Sequence, residues 1–163
     1  MSDGRLLKPV LAAAASAFGV ALLGGLMTDI GPWYRGLVQP PWKPPDWLFG
    51  PAWTVIFALA AAAGVYAWRR APGRKSREWM LGLFAANGFL NIFWSLLYFR
   101  LERPDWALRE VMFLWLSVLL LIIVLARYSR PSGWLLAPYL LWVSFAALLN
   151  LATVRLNGPF GAL

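Results

Sequence analysis

Aromatic and amide side chains recur at helical spacing in three apolar segments of the chain. The segment "NGFLNIFWSLLYF" spaces four such side chains by 4, 3 and 4 residues: Asn87, Asn91, Trp94 and Tyr98. Two further segments repeat the pattern with Phe49, Trp53 and Phe57, and with Trp142, Phe145, Ala146, Leu149 and Asn150. Residues at these intervals share one face of an α-helix. Three such faces together would suit a pocket for a large, flat, mostly apolar ligand. The alternative is that the rings only fill a bundle and that each amide joins two helices, contributing about 1 kcal/mol.

The residue types exclude several classes of chemistry. The chain has no cysteine and no histidine, which excludes disulfides, thiol nucleophiles, histidine catalysis and most zinc or haem ligation. It also has no nucleotide-binding glycine loop. Chemistry would have to use Trp, Tyr, Asn or backbone groups, or a bound cofactor. We expect no metal site and no resident cofactor.

The stretch "QPPWKPPDWLFGPAW", residues 39–53, joins two apolar runs and combines five prolines with three tryptophans. Proline fixes φ and removes an N–H donor, so the loop is stiff and has few polar groups to satisfy near hydrocarbon. Trp33, Trp42 and Trp47 would suit an interfacial aromatic belt, but a belt needs no rigid backbone. We therefore predict a preorganised lid that carries Trp33, Tyr34 and Trp42 over a pocket.

Long runs without charge predict membrane spans. The chain is 61% hydrophobic and 13% charged, with a mean hydropathy of +0.63, whereas soluble domains are about 45–50% apolar and about 25% charged. Four runs of 20 to 24 residues carry no charge, and a fifth of 16 residues reaches membrane length if Arg109 and Glu110 snorkel to the interface. We predict an all-α membrane protein, a single domain over residues 1–163 that forms a five-helix transmembrane bundle. The predicted spans are 9–28, 47–68, 79–99, 106–126 and 131–154.

The position of the charges predicts orientation. The net charge is +8, but the cations cluster at the ends of the apolar runs, which favours membrane topology over nucleic-acid binding. With five spans, nine cations fall on the side of the N-terminus and six on the other side, which predicts a cytoplasmic N-terminus. No charge lies deep in the runs, which weighs against a proton-coupled exporter. The first run continues past the cleavage-like "ASA" at residues 15–17, so we expect it to remain as a span.

Three segments resemble one protein family: "WYRGLVQPPWKPPDWLFGPAW" at 33–53, "NIFW" at 91–94 and "PYLLWVSFAALLN" at 138–150. They are similar to the tryptophan-rich sensory protein and translocator protein family, over nearly the whole chain. The resemblance implies a multi-pass protein of a bacterial cytoplasmic membrane, surrounded by lipid and often a homodimer. It also implies a pocket on the side of the first loop for porphyrins such as protoporphyrin IX, and for synthetic isoquinoline and benzodiazepine ligands.

The resemblance implies roles for individual residues. Trp53 and Trp142 match the two pocket tryptophans, and Tyr34 matches the lid tyrosine. Asn91 and Trp94 match "NxxW" in the third span, Ala146 matches a small pocket residue, and Asn87 stands at an amide position. Spacing and resemblance together give the predicted ligand-binding set: Trp33, Tyr34, Trp42, Phe49, Trp53, Asn87, Asn91, Trp94, Trp142, Phe145 and Ala146.

Two further positions bear on partners. Gly82 and Ala86 form a small-xxx-small pair on the third span, which lets helices approach closely within or between chains. They are the predicted homodimer contact. The family's sterol motif has an aromatic residue where this chain has Leu151, although Arg155 remains, and this argues against sterol binding.

The resemblance leaves three functions open. The first is a membrane protein that senses or transports porphyrins without turnover, with no catalytic residue. The second is light-dependent porphyrin degradation, in which Trp53 and Trp142 would be the redox partners. The third is a small facilitator for metabolites.

Overall fold

The computed structural model describes residues 4–160, with side chains from Pro9 onward. Within this range all the regular structure is helical: α1 Gly4–Met27, α2 Pro32–Gly36, α3 Phe49–Arg70, α4 Arg74–Ser95, α5 Pro104–Tyr128 and α6 Arg130–Asn157. A 3₁₀ turn, Asp46–Leu48, leads into α3, and a π turn, Leu96–Arg100, extends α4. In this part of the chain five helices are long and apolar enough to cross a membrane. The predicted all-α five-helix membrane bundle is confirmed.

Proline marks where several helices begin. Pro32, Pro104 and Pro131 stand in the first turns of α2, α5 and α6. The N–H groups in the first turn of a helix have no hydrogen-bond partner within the helix, so a proline, which lacks an N–H, costs little stability there. Pro51 also falls in a first turn, because α3 begins at Phe49. The proline-rich loop therefore leads into α3 without a kink deep in the membrane.

The helices pack as a bundle with its core between α5 and α6. These two helices lie against each other along their length, α4 packs on α5, α3 packs on α6, and α1 packs on α3 and α4. Large apolar side chains that are fully buried in this core include Val118, Leu121, Leu125, Leu136 and Tyr139. Other large apolar side chains are more than 60% exposed: Phe18, Trp79, Phe113 and Trp134. Helices that are apolar on both the inner and the outer face suit a bundle surrounded by hydrocarbon.

The two ends of the bundle differ in character. We call one end the lid end; it carries α2, the proline-rich loop, the turn between α4 and α5, and the last turn of α6. We call the other the basic end; it carries the turn between α3 and α4, and the helix ends beside that turn hold five cations: Arg69, Arg70, Arg74, Lys75 and Arg77. The side chains of Arg5 and Lys8, on which the orientation prediction also rests, lie outside the described residues. The cytoplasmic N-terminus stays a prediction.

Glu110 departs from the sequence prediction. Arg109 is exposed, but Glu110 is only 5% exposed, and neither carboxylate oxygen has a hydrogen-bond partner among residues 9–160. The reason is helical geometry, because Glu110 lies three residues after Ala107 and four before Leu114, on the buried face of α5. The prediction that Glu110 snorkels to the interface is wrong. The bundle therefore buries an acidic side chain in the second turn of α5.

Candidate functional site at the lid end

Five rings from α3, α6 and the loop form what we call the aromatic cluster: Trp42, Phe49, Trp53, Trp142 and Phe145. Trp142 is at its centre, with ring centroids 5.6 Å from Phe49 and 5.5 Å from Phe145. Trp53 lies 6.4 Å from Trp142 at an interplanar angle of 84°. Trp42, which belongs to the loop, lies with its ring centroid 5.9 Å from that of Phe145. These separations fall within the range of about 4.5–7 Å in which aromatic pairs attract, so the loop is docked on α6 through its tryptophan.

A second group of rings, which we call the π-turn cluster, holds α2 against the end of α4. Trp33 lies 6.3 Å from Tyr98, and Tyr34 lies 5.6 Å from Phe99. Trp94 stacks on Tyr98 at 5.1 Å. The π turn closes with Leu101 N–H donating to the Leu96 carbonyl at 3.0 Å. Its wider winding lets two consecutive residues, Tyr98 and Phe99, contact the same short helix.

The two predicted amides belong to a hydrogen-bonded network around Tyr139. The Tyr139 hydroxyl donates to Asn87 Oδ1 at 3.0 Å and accepts from Asn91 Nδ2 at 3.3 Å. Asn87 Nδ2 donates to Ser117 Oγ at 2.8 Å. The Tyr139 ring lies 6.0 Å from Trp53, so the network adjoins the aromatic cluster. Both polar atoms of the Asn87 amide are used inside the bundle, and the contact of this residue with a ligand stays a prediction.

Polar contacts latch the loop at two points. The Tyr34 hydroxyl donates to Asp46 Oδ1 at 2.9 Å, and Lys43 forms an ion pair with the same carboxylate. Burial, and then the hydrogen bond to Asp46, raise the pKa of Tyr34 above its usual range, so the hydroxyl remains a donor. At the second point, Val38 N–H donates to Asn157 Oδ1 at 2.7 Å and Asn157 Nδ2 donates to the Val38 carbonyl at 2.9 Å. The last turn of α6 therefore holds the first loop.

Two buried donors at the lid end have no partner among the described residues. They are the indole Nε1 of Trp142 and the amide Nε2 of Gln39. A buried donor without an acceptor costs about 1–3 kcal/mol. Such groups in native structures call for a ligand, an ion or a water. Both atoms donate, so the complementary group is an oxygen or nitrogen acceptor.

A groove of about 700 Å³ lies between α1, α3 and α4 and extends toward the basic end. We call it the α1/α3/α4 groove. Phe57, Asn87 and Tyr139 line its inner part, so it reaches the amide network from the side opposite to the lid. The rest of its lining comes mainly from small and apolar residues of the three helices. Of the predicted ligand-binding residues, Asn87 alone lines it.

Comparison with known proteins decides the family. The model of the TspO/MBR family matches residues 11–156. The chain belongs to the TspO/MBR family. It is 41% identical over 127 residues to the tryptophan-rich protein TspO of Chlorobaculum tepidum, which covers 77% of this chain and 79% of that protein. It is 31% identical to the tryptophan-rich sensory protein of Cereibacter sphaeroides, with 87% of each chain covered. It is 29% identical to the human translocator protein, with 77% of this chain and 75% of that protein covered.

In this TspO/MBR chain the predicted binding residues fall into neighbouring groups. The structure gathers five of them in the aromatic cluster, with Ala146 next to Phe145, and it places Trp33, Tyr34 and Trp94 in the π-turn cluster. Trp94 packs against both the main core and the π-turn cluster, and so connects the groups. Their assignment as ligand contacts stays a prediction.

Sequence reasoning missed two residues of this TspO/MBR site. Tyr139 organises the amide network, and its position three residues before Trp142 was a signal that it shares that face. Asn157 has no such local signal. Gly82 and Ala86 are both exposed on α4, and a Cβ on Gly82 would meet no atom within 4 Å. A homodimer through them stays a prediction.

Proposed function

We propose that this chain binds porphyrins such as protoporphyrin IX at the lid end, and that it senses or transports them in the membrane. The ligand lies between α3 and α6, under the proline-rich loop. The names of its relatives, a sensory protein and a translocator protein, support this pair of roles. The proposed setting is a homodimer in a bacterial cytoplasmic membrane.

The observation that carries the proposal is the buried indole N–H of Trp142, which has no acceptor among the described residues and lies within a cluster of rings. A porphyrin is a flat aromatic ring system with carboxylate side chains. It offers ring faces for stacking on indoles and oxygen acceptors for unpaired donors. One ligand would therefore satisfy both features of the site.

Ligand entry requires the lid to move. The rings of the aromatic cluster contact one another directly, so a porphyrin must separate some of them. Trp42 is the ring most easily displaced, because it is 49% exposed and belongs to the loop. The latches at Asp46 and Asn157 then determine how often the site opens.

Titration of the purified protein with protoporphyrin IX in the dark, followed by quenching of tryptophan fluorescence, tests the proposal. Trp142→Phe keeps a ring but loses the N–H and some area, and we expect affinity to fall about 3–30-fold, or about 0.7–2 kcal/mol. Trp106→Phe is the matched control, because Trp106 is 44% exposed with the Arg103 guanidinium 4.1 Å from its ring centroid. If both variants bind as tightly as wild type, the site is wrongly placed.

Light-dependent porphyrin degradation is a second candidate, favoured by the adjacency of two indoles at the proposed site. Trp53 and Trp142 are 6.4 Å apart between ring centroids, close enough for both to contact one ligand. Illumination with product analysis separates the two functions. Degradation assisted by these residues requires that porphyrin loss per bound molecule fall in Trp53→Phe and Trp142→Phe. Unchanged loss per bound molecule would assign the photochemistry to the porphyrin alone.

A further inference from the structure

The α1/α3/α4 groove owes its existence to small side chains on three helices. Ala13 of α1, Ala61 and Gly64 of α3, and Ala85 of α4 all line it. Where larger residues would interdigitate, these leave volume between the helices. At about 700 Å³, the groove lies within the range of about 300–1,000 Å³ that is typical of small-ligand pockets. Leu81, Ala85 and Phe89 of this lining are exposed on α4, a candidate membrane span, so the groove is open toward hydrocarbon.

Cationic side chains lie at the basic end of this groove. Trp68 lines the groove, and the guanidinium carbon of Arg77 lies 5.2 Å from the centroid of its ring. Arg77 Nε is buried and has no hydrogen-bond partner among the described residues. A second cavity of about 240 Å³ at the same end is lined by Tyr66, Arg69 and Arg70. Phosphate and carboxylate oxygens are the acceptors with which a guanidinium forms its strong, short, charge-assisted hydrogen bonds.

The charge of the turn between α3 and α4 is almost entirely positive. The helix ends on either side of this turn carry five cations and one acid, Glu78, which is already paired with Arg74 at 2.6 Å. An apolar groove between membrane-spanning helices, with Arg77 and further cations at one end, is complementary to an anionic phospholipid. The acyl chain would occupy the groove, and the phosphate would meet the cations.

We propose that the α1/α3/α4 groove binds one anionic phospholipid, with an acyl chain along α1, α3 and α4 and the phosphate at Arg77. The phosphate end of this site lies at the basic end, away from the proposed porphyrin site, and only the inner end of the groove reaches Asn87 and Tyr139 of the amide network. A second copy of the chain is a less suitable occupant of the groove, because its own five cations would lie beside those of the first chain and repel them. In addition, Gly82 and Ala86, the predicted dimer contact, are not among the residues that line the groove.

Lipid titration of the detergent-purified full-length chain, followed by native mass spectrometry, tests the charge requirement. The probes are dioleoyl phosphatidylglycerol, which is anionic, and dioleoyl phosphatidylcholine, which has the same chains and no net charge. We expect one phosphatidylglycerol per chain, bound about tenfold more tightly than phosphatidylcholine. Arg77→Gln should weaken phosphatidylglycerol about fivefold and leave phosphatidylcholine unchanged. Arg127→Gln is the matched control, an exposed arginine at the same end but on α5, and should change neither.

A groove-filling variant tests the position. Ala61→Leu places a larger side chain in the groove and should abolish the tight phosphatidylglycerol site. Ala85→Leu does the same from the opposite wall if the first variant does not fold. The proposal is overturned if the two lipids bind equally to wild type, or if Arg77→Gln and Arg127→Gln behave alike. It is also overturned if Ala61→Leu changes the dimer fraction instead of lipid binding, or if protoporphyrin IX displaces the lipid one for one.

Discussion

Replacing Tyr34 by phenylalanine should loosen the lid while leaving the bundle intact. The variant keeps the ring contact with Phe99 and loses the hydrogen bond to Asp46. A hydrogen bond to a charged group contributes about 1.5–3 kcal/mol. Here the Asp46 side chain is 47% exposed and keeps Lys43 as a partner, so the loss falls below that range, at about 1–1.4 kcal/mol. The population of the open lid should therefore rise about five- to tenfold.

Hydrogen–deuterium exchange read by mass spectrometry measures this opening. The reporters are loop amides that are hydrogen-bonded in the closed lid, Lys43 N–H to the Pro40 carbonyl and Leu48 N–H to the Pro45 carbonyl, both at 3.0 Å. Their exchange should speed up about five- to tenfold in Tyr34→Phe, because local opening controls it. Amides of the buried α5 should keep their wild-type rates. Tyr66→Phe, which removes a hydroxyl from a tyrosine near the basic end, is the control and should leave the loop unchanged.

Two results would refute this reasoning. Wild-type exchange in the loop of Tyr34→Phe would mean that the ring contacts alone hold the lid. Faster exchange throughout α5 as well as the loop would mean that the hydroxyl stabilises the whole bundle. The expected outcome lies between these, with the change confined to the loop.

The remaining predictions concern orientation, association and the buried acid. A reporter that is active only in the cytoplasm should give signal when fused to the N-terminus and none at the C-terminus; the reverse pattern would invert the topology. Replacing Gly82 and Ala86 together by leucine should shift the detergent-purified protein toward monomer, and an unchanged dimer in crosslinking would place the interface elsewhere. Glu110→Leu exchanges an unpartnered buried carboxyl for an apolar side chain and should stabilise the protein by about 1–3 kcal/mol, measured as a higher unfolding temperature in detergent. A lower temperature would show that Glu110 has a partner, such as water, in the membrane.

Local sequence patterns were sufficient to predict the long helices and to identify which residues share one face of a helix. A bilayer requires about 20 apolar residues per helical span, so runs without charge predict the five long helices. Spacing by three and four residues correctly placed Asn87 and Asn91 on one buried face of α4. These features depend only on residues within a few turns of each other.

Features that join distant parts of the chain were not predictable in this way. Spacing says which residues share a face, but not which helix that face meets, so the α1/α3/α4 groove appears only once three helices are placed. Glu110 was misjudged because its charge suggested the interface, whereas its position three residues after Ala107 put it inside. The pair formed by Val38 and Asn157 spans 119 residues of sequence, and no local pattern encodes it.

That last pair sets an order of events during biosynthesis. A ribosome adds about 5–20 residues per second, so Asn157 follows Val38 out of the ribosome by about 6–24 s. During that interval the proline-rich loop has already emerged from the ribosome, but α6 is incomplete and cannot hold it. The lid is therefore among the last parts to become ordered, after the spans have been inserted. A nascent chain stopped before Asn157 would cross the membrane as often as the finished one. It would still lack the two hydrogen bonds with Val38 that hold the loop over the aromatic cluster.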